Sequence, residues 1–343
     1  MPAEPTLHQN LMLQKLKEAH GLSLNSLQFI PAGTAPAYRA EGEDGRFFIK
    51  VLPDTPYGQE VLGRLQRELP LLQVLRAQGI LPEVPEVVLT LQGEGFTCLE
   101  GHALVVYRWI DGESLGDAGW LAARNELVVL LGRLHAGTSR IMQEVRDLPF
   151  PPEDFELPFE DQLVQDLQVL EQLPDGARRG TQALRDLLAP HLAAIQRVLQ
   201  HARVFQQQVR NRSPELVVCH TDAHGGNVMR NSSGRLWIID WETARLAPRE
   251  HDLWMLHAHL PELLPRYEQA VGQPVQLDSD MLGFYFYRRV LEDLAMDVRM
   301  ILHDNTRPEE DEANLRVLEQ YILPALHQVN TDFEHLSTRL ASR

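Results

Sequence analysis

A chain of 343 residues, 44% hydrophobic and 23% charged, is long enough for two lobes with sizeable cores, and its 22 glycines and 22 prolines are too dispersed for a fibre or a low-complexity segment. The formal net charge of -16 argues against a nucleic-acid partner, because such binders concentrate Lys and Arg on one face; it suits a small cationic substrate drawn towards an acidic cleft. With only Cys98 and Cys219, no apolar run near the ~20 residues of a membrane span and no signal-peptide pattern, a reducing, cytoplasmic location without membrane attachment is expected.

In chain order, residues 6–19 read as an amphipathic helix that Gly21 ends. Residues 26–30, 37–40 and 46–51 read as short strands, the last two joined by the turn Gly42-Glu43-Asp44-Gly45. A helix over 59–78 follows, then apolar segments around Val87 and Thr97, and a strong strand over 103–109 that stops at Ile110-Asp111-Gly112. From Trp120 the pattern turns helical, over 120–137, 159–172, 181–208, 261–271, 281–303 and 308–329. Residues 216–240 sit within this half as two short strands around a loop. The expected fold class is α+β in two lobes: 1–111, a small β-sheet with one main helix, and 112–343, larger and mainly helical, with the proline-rich segment 148–158 as a surface connection.

The chemistry concentrates in residues 216–253. Asp222 and Asn227 lie five residues apart on a glycine-bearing loop, and Asp240 closes an apolar strand thirteen residues later. An Asp, an Asn and a second Asp suit phosphoryl transfer, which needs a group to orient a hydroxyl and oxygen ligands to hold Mg²⁺ on the phosphates. An ordinary aspartate, with a pKa of roughly 4, is a weak ground-state base at pH 7, so Asp222 is expected to orient the acceptor hydroxyl and take its proton late. Asn227 and Asp240 are the expected metal ligands. His220 reads as a buried residue bonding the loop backbone.

In the first lobe, Lys50 lies among apolar neighbours on the strand over 46–51, where it can clamp nucleotide phosphates if a carboxylate on the following helix holds it. Glu68 and Glu60 are both candidates, and Glu68 is preferred because an apolar run follows it. The turn at Gly33 and Thr34 is where backbone amides would approach the phosphates, although it holds a single glycine. The strand over 104–112 has the character of an interlobe hinge, with backbone groups past Tyr107 and at Trp109 placed to pair with a purine edge. Glu242, Glu292 and Asp293 are candidate contacts for the amino groups of a substrate. A rival reading makes Cys219, His220, Asp222 and His224 a zinc set in a hydrolase, but it leaves Asn227, Lys50 and the end of the Ile-Ile-Asp-Trp-Glu strand without a role.

Taken together, FIPAGTAPAYRAEGEDGRFFIKV, LLGRLHAG, VVCHTDAHGGNVM, IIDWETARLAPREHDL and FYRRVLEDLA resemble the aminoglycoside phosphotransferase family over nearly the whole chain. The resemblance implies a protein-kinase-like two-lobed fold with ATP, or GTP in its place, and Mg²⁺ bound between lobes. It implies Lys50 as the nucleotide lysine, Asp222 as the catalytic aspartate, and Asn227 with Asp240 as magnesium ligands. It implies transfer to a hydroxyl of an antibiotic, here a cationic aminocyclitol or aminoglycoside of the spectinomycin kind. Thr221 and Trp241-Glu242 depart from the Arg and Phe-Gly of eukaryotic protein kinases, so no phosphorylation-switched loop is expected. Relatives also use homoserine, choline, methylthioribose, macrolides or protein Ser/Thr, and the helical segments 140–210 and 255–330 would select among them.

Overall fold

The computed structural model describes residues 4–31, 35–146, 150–174 and 176–342. The chain divides into two compact units. The first takes 1–151, 217–246 and 266–273; the second takes 152–216, 247–265 and 274–343.

The first unit opens with helix α1 (Gln9–His20), stopped by Gly21 in the left-handed region at φ 71°, whose N–H donates back to the Lys17 carbonyl. Strands β1 (Leu24–Ile30), β2 (Ala37–Gly42) and β3 (Gly45–Pro53) follow, then α2 (Pro56–Ala77), β4 (Phe96–Leu99) and β5 (His102–Arg108). The strands form one antiparallel sheet in the order β1-β2-β3-β5-β4. Strict alternation in β3 sends Phe47, Ile49 and Val51 into a core shared with Met12, Leu16, Tyr38 and Val106. Lys50 therefore points to the other face, opposite Ala37 on β2 and Val105 on β5. The apolar segment at Val87 contributes a single bridge to Tyr107 rather than a strand. Helix α2 starts where Thr55 accepts the Gly58 N–H at 3.1 Å, with Pro56 in the first turn, where its missing N–H costs nothing.

Beyond the expected boundary at 111–112, the same unit continues with β6 (Gly112–Ser114), α3 (Gly116–Ala136), α4 (Thr138–Glu144), β7 (Val217–Cys219), β8 (Val228–Asn231), β9 (Leu236–Ile238) and the first two residues of β10 (Arg245–Ala247). Segment 216–240 thus carries three strands, not two: β8 and β9 join β6 in a small sheet, while β7 pairs with β10. Gly112 makes the β6–β8 contact possible, since a Cβ there would lie 2.5 Å from the Arg230 carbonyl oxygen.

The second unit is helical: α5 (Glu160–Glu171), α6 (Arg179–Leu188), α7 (Leu192–Arg210), α8 (Glu250–Leu253), the start of α9 (Leu260–Val271), α10 (Ser279–Arg299), α11 (Pro308–Val317) and α12 (Leu323–Ala341). Its centre is α10, with Leu282, Phe284, Leu291, Leu294 and Val298 buried, and Tyr287 stacks on Phe205 of α7 at 5.4 Å. The helix expected over 181–208 is two helices joined by a 3₁₀ turn, Ala189–His191, because Pro190 lacks an amide and its ring clashes with the preceding turn. A single π turn, Met300–Asp304, ends α10, and another, Leu318–Ile322, divides the helix expected over 308–329 into α11 and α12, which runs on to Ala341. Among the described residues, no helix is long and apolar enough to cross a membrane.

Candidate active site

Strand β7 is wholly buried and delivers the chain into a loop that is bonded to itself. His220, 0% exposed, accepts the Asp222 N–H on Nδ1 at 3.2 Å, which leaves the ring proton on Nε2 to donate to the Ile239 carbonyl at 2.9 Å. This is the backbone-bonding role read from the sequence. Both ring nitrogens thereby face the loop backbone, and the Cys219 thiol lies 3.8 Å from His135, so the four residues of the zinc reading do not converge as ligands.

Thr221 and Asp240 both sit in the left-handed region, at φ 75° and 65°. Such residues cost of order 1–3 kcal/mol each and persist where surrounding bonds over-determine them. Thr221 Oγ1 is bonded to Thr243 Oγ1 at 3.0 Å, and the next residue after Asp240, Trp241, is 1% exposed, donates Nε1–H to the Ile238 carbonyl at 2.8 Å and meets His220 edge-to-face at 4.6 Å. Trp241→Ala is expected to cost about 3–5 kcal/mol in urea unfolding, the range for a large buried aromatic. A loss below about 1 kcal/mol would show that Trp241 does not hold this loop.

Asn227 Nδ2 donates to the Asp222 carbonyl at 3.0 Å and to its Oδ2 at 3.2 Å, so one carboxamide fixes both the loop and its carboxylate. The Asn227 carbonyl accepts the Ile239 N–H at 2.9 Å, which ties this residue to the chain leading into Asp240. Outside bracing comes from Trp120 Nε1 to the Ala223 carbonyl at 2.8 Å and Ser114 Oγ to the Gly226 carbonyl at 3.0 Å. His224 turns its Nε2 to 3.6 Å from Asp222 Oδ2, while its Nδ1 accepts the Gly226 N–H at 2.9 Å. Asp240 is exposed by surface area yet closely surrounded by protein atoms. That desolvation raises its pKa; Lys50 pulls it down, and Glu242 and Asp222 push it further up.

Lys50 does not pair with the helix carboxylate preferred from the sequence. Its Nζ lies 3.2 Å from Glu242 Oε2, and Arg64 of α2 approaches the other oxygen at 3.5 Å. Glu242, expected to face a substrate, is instead the lysine's counter-ion here. Glu60 is exposed and paired with Arg64 at 2.5 Å. Glu68 is buried and accepts the Tyr107 hydroxyl at 3.3 Å, within electrostatic reach of Lys50 but outside ion-pair distance. Burial pulls the Lys50 pKa down, but Glu242, Glu68 and Asp240 outweigh it and the pKa is raised. Burial pushes the Glu68 carboxyl up to about 8, against Lys50 and with help from Asp240 and Glu242. Burial, then Glu68, drives the Tyr107 phenol well above its ordinary value.

The raised Glu68 pKa has a defined sign in stability. A carboxyl that holds its proton more tightly when folded stabilises the fold below its unfolded pKa, and that contribution is lost as pH rises through about 8. Wild type should therefore lose stability relative to Glu68→Gln, by up to a few kcal/mol, between about pH 5 and pH 9. Urea midpoints of both proteins across that range measure it, and parallel curves would refute the buried neutral carboxyl.

The Trp109 N–H is already donated to the Arg46 carbonyl at 3.0 Å, so it is not the donor for a purine edge. The Trp109 ring carries the Arg39 guanidinium at 5.1 Å. Gly33 and Thr34 lie outside the described residues. Glu292 and Asp293 belong to α10 of the second unit, where Asp293 pairs with Arg289 at 3.1 Å. The first unit thus brings together Lys50, Glu68, Tyr107, Asp222, Asn227, Asp240 and Glu242. Arg64, His224 and Trp120 were not legible as site residues. Arg64 and Trp120 lie far from the motif in sequence; His224, two residues from Asp222, reads from the sequence only as a zinc ligand.

The model of a family described as "Phosphotransferase enzyme family" (APH) matches residues 26–281. Among solved structures, spectinomycin phosphotransferase APH(9)-Ia in complex with ADP and spectinomycin matches with a TM-score of 0.78 at 19% identity, over 95% of this chain and 99% of that one. A microcompartment-associated aminopropanol kinase matches with a TM-score of 0.64 at 15% identity, over 96% of this chain and 100% of that one. Choline kinase LicA from Streptococcus pneumoniae matches with a TM-score of 0.53 at 14% identity, over 93% and 99%. Identities this low establish a common fold rather than a common substrate. No curated protein matches the sequence.

Proposed function

Because this chain belongs to the phosphotransferase enzyme family, we propose that its Asp222 site moves the γ-phosphoryl group of ATP to a hydroxyl of a small cationic acceptor, an aminocyclitol or aminoglycoside of the spectinomycin kind. Phosphoryl transfer to a hydroxyl follows from the family; the acceptor class, the metal and the individual roles are what we add. The observation that carries the reading is the bonded pair Asp222–Asn227 in the same unit as Lys50 and Asp240.

Asp222 accepts a hydrogen bond from the acceptor hydroxyl, aims its oxygen at the terminal phosphorus and takes the proton as the new bond forms. Asn227 holds Asp222 Oδ2 in place while this happens. Lys50, charged and recessed on β3, offers its ammonium to the nucleotide phosphates. The donor set suits a hard cation. Asn227 commits Nδ2 to Asp222, which frees Oδ1 for a ligand, and Asp240 is a carboxylate that desolvation and its acidic neighbours leave in need of positive charge. Asn227 and Asp240 would hold Mg²⁺, which when bound neutralises phosphate charge.

A cationic acceptor is supported by the formal charge of -16 and by the named acceptors of the matched structures, since spectinomycin, aminopropanol and choline each join an amine or ammonium to a hydroxyl. Work in the cytoplasm, where ATP is supplied, fits this chemistry. The test is nucleotide turnover with ATP and separately GTP over spectinomycin, other aminoglycosides, aminopropanol, choline, homoserine, a macrolide and a protein substrate. Acceptor-dependent release of the nucleoside diphosphate with spectinomycin or another aminoglycoside, and weak or absent turnover with the remaining acceptors, is the expected result. Turnover only with homoserine, the macrolide or the protein would overturn the acceptor class.

A further inference from the structure

Away from the residues that handle phosphate, the first unit holds a cavity of about 430 Å³ beside α3 and the start of β9, with Val129, Leu130 and Leu236 as its apolar wall. Small-molecule sites commonly fall within roughly 300–1,000 Å³. Four charged side chains line it, and they are not equivalent. Glu83 is paired with Arg133 at 3.4 Å, and Glu126 takes both guanidinium nitrogens of Arg230, at 2.9 and 3.2 Å. Arg235 and Arg266 also line the cavity, and among the described residues neither has a carboxylate within ion-pair distance. In a chain with 48 acidic and 32 basic residues, two guanidinium groups left without counter-ions at one apolar cavity reverse the local sign of charge.

We propose that this cavity binds a small organic carboxylate, its apolar body on Val129, Leu130 and Leu236 and its anionic end held by Arg235 and Arg266. The planar guanidinium fork matches a carboxylate with two parallel hydrogen bonds, a geometry a neutral amide does not reproduce. The wall is also the base of the catalytic loop: the Ile238 N–H donates to the Glu83 carbonyl at 2.9 Å, and Asp240 lies two residues further on.

The test is calorimetric titration of the full chain with 3-phenylpropanoate, in saturating ADP so that the nucleotide site is filled. Saturable binding is expected, weakened at least ~10-fold in the double variant Arg235→Gln, Arg266→Gln, as befits two lost charge-assisted contacts, and absent with the uncharged 3-phenylpropanamide. Both arginines are exposed, so the double variant should keep its melting temperature and its ADP affinity. No saturable binding of the carboxylate, equal binding of the amide, or undiminished binding by the double variant would each overturn the site.

Discussion

Asp222→Ala should lower kcat by ~10²–10⁴-fold while ADP affinity changes by less than about threefold. The carboxylate touches the acceptor hydroxyl rather than the nucleotide, so its loss falls on chemistry and not on nucleotide binding. The loop should survive the change. Asn227 Nδ2 keeps its bond to the Asp222 backbone carbonyl at 3.0 Å, and His220 still accepts the residue 222 amide at 3.2 Å. A melting temperature close to wild type therefore belongs to the expected result, and steady-state kinetics with an ADP titration measures the rest. Turnover near wild type would remove Asp222 from the reaction.

Lys50→Met should act twice. First, kcat/KM for ATP should fall by ~10²-fold, the scale of a lost charged hydrogen bond to phosphate with some misplacement of the transferring group. Second, the variant leaves Glu242 and Asp240 without the cation that offsets their charge. Breaking a buried pair by removing one partner costs about 3–5 kcal/mol, and Arg64, 3.5 Å from Glu242, should keep the loss at the lower end of that range. The sign with pH follows from both partners. Lysine's raised pKa means that its stabilisation is complete at neutral pH and disappears only as pH climbs through that raised value. In the variant, the destabilisation should shrink in acid, where protonated carboxyls no longer need a counter-ion. Urea unfolding of both proteins at about pH 4.5 and pH 7.5, alongside the kinetics, measures it; unchanged stability at both would show that the Lys50–Glu242 contact does not bind the site together.

What could be read from residue order is what depends on short separations. Asp222 and Asn227 share one loop and Asp240 follows the antiparallel pair β8–β9 that the loop leads into, and the alternation of Phe47, Ile49 and Val51 fixes which face of β3 carries Lys50. The partners of those residues were not legible, because they are decided by long-range geometry. Glu242 meets Lys50 across 192 positions, and Glu68 turns to Tyr107, 39 positions away, because a buried carboxyl seeks the nearest donor. Trp109 reads as a hinge donor until the sheet register places the Arg46 carbonyl against its amide. Pro190 is the contrary case, a local signal strong enough to break the helix that apolar periodicity alone extends through it. Residues that select an acceptor leave no comparable pattern, since any solvated helix face carries carboxylates like Glu292 and Asp293.

The most direct measurement follows the phosphorus itself. With γ-labelled ATP and spectinomycin, wild-type protein should move the label onto a hydroxyl of the acceptor, seen as a phosphorylated product by mass spectrometry and located by NMR, and Asp222→Ala should not. Label released only as inorganic phosphate, or the same product formed by the variant, would contradict transfer to an acceptor hydroxyl oriented by Asp222.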